Sequence, residues 1–252
     1  MARVVSWFSC GAASAVATMM AAIKYPQMEA VYCRVKEEHE DNLRFLDDFT
    51  RITGVPVKTI VNEEFDGSIY SVFLKRKFIK NQYGAPCTML LKKEMRKKYQ
   101  LVDDIQVFGY TVEEQDRADS FLDSNNEVCE DFLLIKNNVT KQDCYEHLHK
   151  LGIKLPVMYS LGYSNNNCIG CVKGGMGYWN QIRKDFPVHF DRMAKLERTI
   201  GHAVNKDEVG PVYLDELAPT RGRFKLDLPT DCGFTCELPK KNPPQGRVNS
   251  GA

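Results

Sequence analysis

Short apolar segments alternate with stretches of helical character along the first half of this chain. The apolar segments are rich in β-branched and aromatic residues, and they span residues 4–8, 30–35, 55–60, 105–109 and 132–135. Such runs are typical of strands that are covered on both faces. Alternation with helical segments predicts βαβ units. The expected fold class is therefore α/β, a twisted and mainly parallel sheet with helices on both of its faces.

The composition changes after about residue 155, where Gly, Asn, Pro and Cys become frequent. The last strong helix is predicted over residues 187–200. We therefore expect an α/β domain over residues 1–155 and a second region over 156–239 that packs on it. The tail over 240–252 has almost nothing to bury and is predicted to be disordered.

Charge and cysteine content limit the classes of function. Lys and Arg number 34 against 33 Asp and Glu, so the net charge of +1 gives no global argument for binding nucleic acid or a membrane. No stretch approaches 18 consecutive apolar residues, and the start of the chain lacks a secretory signal, so we expect a cytoplasmic protein without a membrane partner. We also expect a homo-oligomer. In a reducing compartment, nine cysteines indicate metal or redox chemistry rather than disulfides.

A loop of small residues follows the first predicted strand. In a parallel sheet, ligands bind at the carboxyl ends of strands, where backbone N–H groups at the start of the next helix face outward. Small side chains would let an anion approach that backbone closely. The candidate phosphate-binding residues are Ser9, Gly11, Ala12 and Ser14. A tight turn without a ligand is an equally good interpretation of the spacing.

The strongest local motif is Cys168-x-x-Cys171, in a segment rich in Asn and Gly. Two thiols at this spacing can bind one metal, and glycines allow backbone N–H groups to turn towards sulfur. There is no second Cys-x-x-Cys, so further ligands must come from a distance. Cys87, Cys232 and Cys236 are the candidates. The remaining cysteines, which are expected to pack inside the fold, are Cys10, Cys33, Cys129 and Cys144.

Basic residues are concentrated on either side of Cys87, at positions 75–80 and 92–98. Lys92, Lys93 and Arg117 are candidates for holding an anionic ligand, which positive potential at the mouth of a site would favour. The alternative is a solvated helix face for the lysines. For Arg117 the alternative is an ordinary ion pair with Glu113.

The pattern Ser9-x-Gly11-x-x-Ser14 resembles the pyrophosphate-binding loop of the N-type ATP pyrophosphatases, the PP-loop superfamily. That loop is usually written Ser-Gly-Gly-x-Asp-Ser, so Cys10 and Ala13 depart from it. The resemblance implies the adenine nucleotide alpha hydrolase type of α/β sheet. It also implies bound ATP, with magnesium.

Over residues 4–238 the chain resembles the phosphoadenosine phosphosulfate (PAPS) reductase family. The resemblance implies that Cys87, Cys168 and Cys171 hold a four-iron four-sulfur cluster with Cys236 or Cys232 as a further ligand. Cys87 is followed by Thr88, where those reductases have a second cysteine. Asp231-Cys232-Gly233 resembles their mobile Glu-Cys-Gly segment, which makes Cys232 the candidate nucleophile. The segment from Gly109 to Arg117 resembles their Gly-x-x-x-Glu-Ser-x-x-Arg, with Glu114 in place of Ser.

Three functions follow as alternatives. The resemblance implies first the thiol-dependent reduction of an adenylyl sulfate to sulfite, with a thioredoxin-like partner. The second is ATP-dependent adenylation of a nucleic acid or nucleotide, followed by sulfur transfer from the iron–sulfur cluster. The third is a sensor of nucleotide or redox state that catalyses no reaction.

Overall fold

The computed structural model describes residues 2–224, and their centre is a parallel sheet of five strands. The strands are β1 (Val4–Phe8), β2 (Glu29–Cys33), β3 (Val57–Ile60), β4 (Ile105–Val107) and β5 (Cys129–Asp131). Their spatial order is β3-β2-β1-β4-β5, and each neighbouring pair is parallel. The α/β fold class predicted from the alternating pattern is confirmed.

β1 occupies the middle of the sheet, and all five of its residues are buried. β2 pairs with it on one side and β4 on the other, so the winding of the chain reverses between β1 and β4. In open parallel sheets, the crevice outside the carboxyl ends of such strands is where ligands bind. The loops after β1 and β4 are therefore the first place to look for a site.

Helices cover both faces of the sheet. They are α1 (Ala12–Lys24), α2 (Asp41–Thr53), α3 (Ile69–Arg76), α4 (Pro86–Thr88), α5 (Glu94–Tyr99), α6 (Gln115–Ser124), α7 (Leu133–Lys136), α8 (Lys141–Lys150), α9 (Val157–Ser160), α10 (Met176–Asp185) and α11 (Pro187–Ile200). Because side chains alternate along a strand, Phe8 packs with Phe45 and Leu148 on one face. Trp7 packs with Phe121 on the other.

A third apolar cluster joins α3 and α4 to the second half of the chain. Its buried members include Tyr70, Phe73, Met158, Trp179 and Met193. A π-helical turn, Met89–Lys93, continues α4 into α5. Part of the first half of the chain therefore shares a core with the second half. The division into two domains near residue 155 stays a prediction.

Two expectations from the sequence are wrong. Residues 132–135 do not form a strand, because the strand is β5 and the apolar run that follows it is α7. A short apolar run cannot be assigned to strand or helix from periodicity, and Leu134 is buried among the side chains of α1 and α8. Cys129, on the edge strand, is exposed rather than packed.

No helix in residues 2–224 combines the length and apolarity that crossing a membrane would need.

Candidate functional site

The loop after β1 is closed by its own two serines. The Ser14 hydroxyl accepts hydrogen bonds from the backbone N–H and the hydroxyl of Ser9, both at 3.0 Å, and donates to the carbonyl of Gly11 at 2.9 Å. Cys10 takes a left-handed conformation with φ of 57°, so the chain turns sharply before α1 begins. α1 has no side-chain N-cap. The backbone N–H groups of its first turn, which have no partner within the helix, therefore lie beside this loop.

The loop after β4 packs directly against the first turn of α1. A Cβ atom at Gly109 would lie 2.6 Å from the backbone N and Cα of Ser14, closer than non-bonded atoms approach. Glycine is therefore required at this position for a steric reason. The two loops meet at the switch point, as the strand order predicts.

The Cys168–Cys171 turn is buried and is held by Tyr178. Gly170 provides the left-handed conformation of the turn, with φ of 72°. The Tyr178 hydroxyl accepts a hydrogen bond from the N–H of Cys171 at 2.8 Å and donates to the carbonyl of Cys168 at 3.3 Å. Burial raises the pKa of Tyr178 well above its ordinary value, so the phenol stays neutral and keeps both bonds. The indole of Trp179 closes the turn against Gly170.

The thiol turn is tied to the carboxyl ends of β1 and β2. The Asn166 side-chain amide donates to the carbonyl of Cys10 at 2.8 Å and to Oδ1 of Asn42 at 2.7 Å. The N–H of Ile169 donates to the carbonyl of Glu37, in the segment after β2, at 2.8 Å. The sequence does not reveal these contacts, which join the segment of the thiol turn to the candidate phosphate loop.

Lys92 is buried in an ion pair. Its ammonium donates to Glu38 at 3.0 Å, and the Tyr32 hydroxyl donates to the second oxygen of the same carboxylate. Burial, and next the charge of Glu38, raise the pKa of Cys10 far above the ordinary value. Cys10 is therefore a neutral thiol that packs inside the fold, as its position in the sequence predicts.

Arg117 and Lys93 have surroundings that differ from the buried ion pair of Lys92. The guanidinium of Arg117 pairs with Glu114, the residue that departs from the reductase pattern, and lies 5.5 Å from the ring centre of Tyr110. Lys93 lines a small cleft of about 210 Å³ together with Thr88.

The predicted metal ligands are only partly within the described residues. Cys87 is half-buried and packs against the same apolar cluster as Cys168 and Cys171. Cys232 and Cys236 lie outside residues 2–224. Within that range, no group of three or more His, Cys, Asp or Glu side chains is arranged to hold a metal ion. The described chain therefore presents two adjacent thiols, with a third in the same cluster.

Two buried polar atoms near these cysteines fit a sulfur-containing group. The Thr88 hydroxyl, next to Cys87, is buried and has no hydrogen-bond partner among residues 2–224. The indole N–H of Trp179 is likewise buried without a partner among these residues, on a ring whose benzene edge packs against Gly170 of the thiol turn. An unpaired buried donor is costly unless a ligand satisfies it. Together with two thiols, such donors suit an iron–sulfur cluster.

A large cleft of about 900 Å³ lies near the start of α1. The Tyr159 hydroxyl accepts a hydrogen bond from the N–H of Ala12 at 3.4 Å, which connects this cleft to the phosphate loop. The residues that line it are Asp41, Arg44, Tyr145, His149, Gly152, Ile153, Lys154, Leu155, Pro156, Val157, Tyr159 and Ser160. Its size is ample for a nucleoside.

Several residues of this site were not predicted. Asn166 and Tyr159 bond to the loop from segments distant in sequence, and the charge of Glu38 acts on Cys10 within the loop. The run of three Asn before Cys168 was the available signal for Asn166, because amides are common where a loop must satisfy backbone groups. Glu38 and Tyr159 carry no such signal.

No protein-family model and no curated protein matches the chain. Among solved structures, it is similar to the U34-tRNA thiolase NcsA from Methanococcus maripaludis with its 4Fe-4S cluster. The TM-score is 0.39 and the sequence identity 12%, over 82% of this chain and 74% of that chain. A likeness of this size carries no weight on function, which rests on the contacts above.

Proposed function

We propose that this chain is an ATP-dependent sulfur transferase that acts on a nucleic acid or a nucleotide. The observation that carries the proposal is the hydrogen bond from Asn166 to the carbonyl of Cys10, which joins the thiol turn to the candidate phosphate loop. Thiolation needs an activated nucleotide and a sulfur-carrying group in one place. The hydrogen bond supports such an arrangement, because it joins the segments that carry the two candidate groups.

The Ser9–Ser14 loop would bind the phosphates of ATP. Backbone N–H groups at the start of α1 are donors for phosphate oxygens, and the hydrogen bonds from Ser9 to Ser14 and from Ser14 to Gly11 hold the loop in its closed shape. A carbonyl oxygen of the target base would attack the α-phosphorus, and pyrophosphate would leave. Inorganic sulfide would then attack the activated carbon and displace AMP with its oxygen, which leaves a thiocarbonyl. Because Ala13 replaces the acidic residue of related loops, magnesium would enter with ATP.

The candidate ligands of an iron–sulfur cluster are Cys168, Cys171 and Cys87, with Cys236 or Cys232 as a fourth. Held by Cys87, Cys168 and Cys171 alone, without the fourth thiolate, such a cluster would supply an open iron site for sulfide. The role of the described residues is to orient this group. Tyr178 holds the turn from one side, and Asn166 fixes it to the loop.

Two contacts favour sulfur transfer over reduction of an adenylyl sulfate. Lys92 and Arg117, the side chains expected to hold a sulfate or phosphate, are each paired with a carboxylate. Glu38 and Glu114 offset the positive charge that an anion clamp requires. ATP bound through backbone donors of the loop depends less on these two cations.

Reduction is the second candidate, and the position of Phe224 favours it. Phe224 lies 5.5 Å from Tyr163, centre to centre, in the cluster that contains the thiol turn. Cys232 follows eight residues later, and a chain of that length can span up to about 28 Å. The Cys232 thiolate would attack the sulfate sulfur and release AMP. A dithiol of a thioredoxin-like partner would then reduce the S-sulfocysteine to sulfite and free thiol, and become a disulfide.

One set of assays separates the candidates. Protein purified without oxygen is first analysed for iron and acid-labile sulfide. It is then incubated with ATP, magnesium, labelled sulfide and unmodified RNA transcripts, and separately with adenylyl sulfate and a dithiol. Pyrophosphate release with labelled RNA supports thiolation, whereas sulfite supports reduction. If neither product forms, the chain is not an enzyme of either kind and the sensor hypothesis remains.

Cysteine and serine variants connect the outcome to the site. Cys168→Ala should lose iron and visible colour, and Cys129→Ser, an exposed cysteine on β5, is the matched control. Ser14→Ala should weaken ATP binding about three- to tenfold, the effect of one hydrogen bond. Iron content unchanged in Cys168→Ala would contradict the cluster assignment. ATP affinity unchanged in Ser14→Ala would contradict the phosphate loop.

A further inference from the structure

A second cleft of about 680 Å³ lies at the C-terminal end of α11, separate from the phosphate loop. It is formed by the turn after α3 and by the segment that leads from α11 through β6 (Asn205–Lys206) to β7 (Pro211–Val212). The lining residues are Lys80, Asn81, Gln82, Tyr83, Gly201, His202, Ala203, Val204, Asn205, Lys206, Pro211 and Tyr213. Neither the phosphate loop nor the expected metal ligands contribute to it.

The chemistry of this lining favours an anion. Its ionisable members, apart from tyrosines, are Lys80, His202 and Lys206, and the lining contains neither Asp nor Glu. The last carbonyl groups of α11 carry partial negative charge, which disfavours an anion nearby. The N–H groups of Gly201 and His202 both bond to the carbonyl of Glu197, at 2.8 and 3.1 Å, which partly satisfies that helix end.

Asn205 supplies an independent indication of a ligand. Its side chain lines the cleft and is only 6% exposed. The amide nitrogen has no hydrogen-bond partner among residues 2–224. A buried amide donor is costly unless an acceptor satisfies it, and a phosphate oxygen is such an acceptor.

Lys80 connects the cleft to the thiol turn. Burial lowers the pKa of Lys80 to about 8, and the nearby Cys171 and Glu197 act in the opposite direction. The lysine therefore lies within electrostatic range of Cys171 while it lines the cleft. Val204, which also lines the cleft, packs in the same apolar cluster as Cys171, so the cleft and the thiol turn border one core.

Aromatic rings border the cationic groups. Tyr83 is 79% exposed and lies in the short turn between Asn81 and Gly84, which form a β-bridge. Tyr213 lines the other side, with the guanidinium of Arg198 3.8 Å from its ring centre. Tyr213 is half-buried, so Tyr83 is the exposed ring beside the lysines. Such a combination binds single-stranded nucleic acid, because a base stacks on the ring and phosphates contact the cations.

We propose that this cleft binds a single-stranded segment of the nucleic-acid target, with a base on Tyr83 and a phosphate between Lys206 and Asn205. The neighbouring nucleotide would then be directed towards the thiol turn. This inference rests on the proposed function, since it names the part of the molecule that holds the target. The cleft, its donors and its connection through Lys80 are features of the described residues.

The test measures binding of a fluorescent single-stranded RNA oligonucleotide to the full-length protein at several salt concentrations. Lys206→Gln should weaken binding about threefold to tenfold and lower the salt dependence by about one phosphate contact. Tyr83→Ala should weaken it about tenfold through lost stacking. Lys195→Gln, an exposed lysine on the same helix as Glu197 but outside the cleft, controls for net charge. Lys206 and Tyr83 are both exposed, so neither substitution should unfold the protein. Melting temperatures equal to that of the parent would verify this.

Unchanged affinity and salt dependence in both cleft variants would overturn the proposal. Equal competition by a free nucleoside monophosphate would overturn the assignment to a nucleic-acid chain and leave a small-nucleotide site. Because binding needs no turnover, the result is independent of pyrophosphate release. A protein that binds RNA through the cleft but forms no product would disprove the proposed function and retain this one.

Discussion

The Ser9–Ser14 loop and the Cys168–Cys171 turn lie side by side, but they are stabilised in different ways. The serine loop is closed by hydrogen bonds between residues at most five positions apart. The thiol turn depends on distant partners, because Asn166 bonds to Cys10 across 156 positions and Ile169 bonds to Glu37. One half of the site is therefore local, and the other exists only after the chain has folded.

This difference predicts an asymmetry. A change in the sheet or in the segments after β1 and β2 should disturb both halves, since the thiol turn is anchored there. A change confined to the turn should affect the thiols and leave nucleotide binding intact. The variants that follow test this asymmetry.

The buried ion pair between Lys92 and Glu38 should give the largest effect. Lys92→Met leaves Glu38 buried with an unpaired charge, so the free energy of unfolding should fall by about 3–5 kcal/mol. Nucleotide affinity and thiol protection should fall together through this loss of structure, because the thiol turn is anchored at Glu37, next to Glu38. Urea unfolding measures the change, and the double variant with Glu38→Gln should recover much of it. If the double variant is no more stable than the single one, the unpaired carboxylate is not the cause.

The contributions of the two regions to the free energy of unfolding should depend on pH in opposite ways. Burial raises the pKa of Glu197, in the second region, to about 7, despite hydrogen bonds from the backbone of Val204 and Leu214. The folded state therefore binds a proton more tightly than the unfolded chain, whose pKa is near 4.5. This contribution, about 3 kcal/mol, is complete below pH 4.5 and is lost as the pH rises to about 7.

The contribution of the sheet region to stability has the opposite pH dependence. Burial acts to raise the pKa of Asp104, but the hydrogen bonds from Arg3 prevail, and the pKa is lowered. Its contribution to stability is present above about pH 4 and is lost on acidification. Glu197→Gln should flatten the slope of stability between pH 4.5 and 7 and leave the acid limb unchanged. A slope that persists in this variant would refute the role of Glu197.

Two glycines allow each region to be perturbed alone. At Gly109→Ala the new Cβ would meet the backbone of Ser14, and at Gly177→Ala it would meet the backbone of Arg223 and Phe224. Each should cost about 1–3 kcal/mol, the usual penalty of overpacking. ATP affinity, measured by calorimetry, should fall only for Gly109→Ala. Equal loss of ATP affinity in both variants would contradict the asymmetry.

The smallest effect is expected for Tyr178→Phe. Removing the hydroxyl takes away its hydrogen bonds to the N–H of Cys171 and the carbonyl of Cys168, at a cost of about 1–2 kcal/mol. Cys168 and Cys171 should then react faster with a thiol reagent, while ATP affinity stays unchanged. Tyr83→Phe, on an exposed ring, is the control. Thiol reactivity equal to that of the parent would show that Tyr178 does not hold the turn.

Prediction from sequence was best where local pattern and burial agree. The apolar run of β1 and the helix over residues 187–200 were predicted at their observed bounds. Residues 132–135 were misassigned because four apolar residues suit either a buried strand or a buried helix, and contacts with α1 and α8 decide between them. The strands predicted over residues 30–35 and 55–60 are observed as β2 and β3, with other bounds. The bounds differ because a strand ends where its pairing with β1 or β2 ends, and not where the apolar run ends.

For the candidate site, sequence identified residue types and the structure supplied their partners. The small residues at Ser9–Ser14 and the two thiols at Cys-x-x-Cys spacing are encoded locally, because chain stiffness and side-chain chemistry act within a few residues. The pairing of Lys92 with Glu38, the bond from Asn166 to Cys10 and the cleft near Asn205 join segments far apart in the chain. Such contacts form only when burial of the shared apolar clusters brings those segments together, so they were decided by the tertiary structure alone.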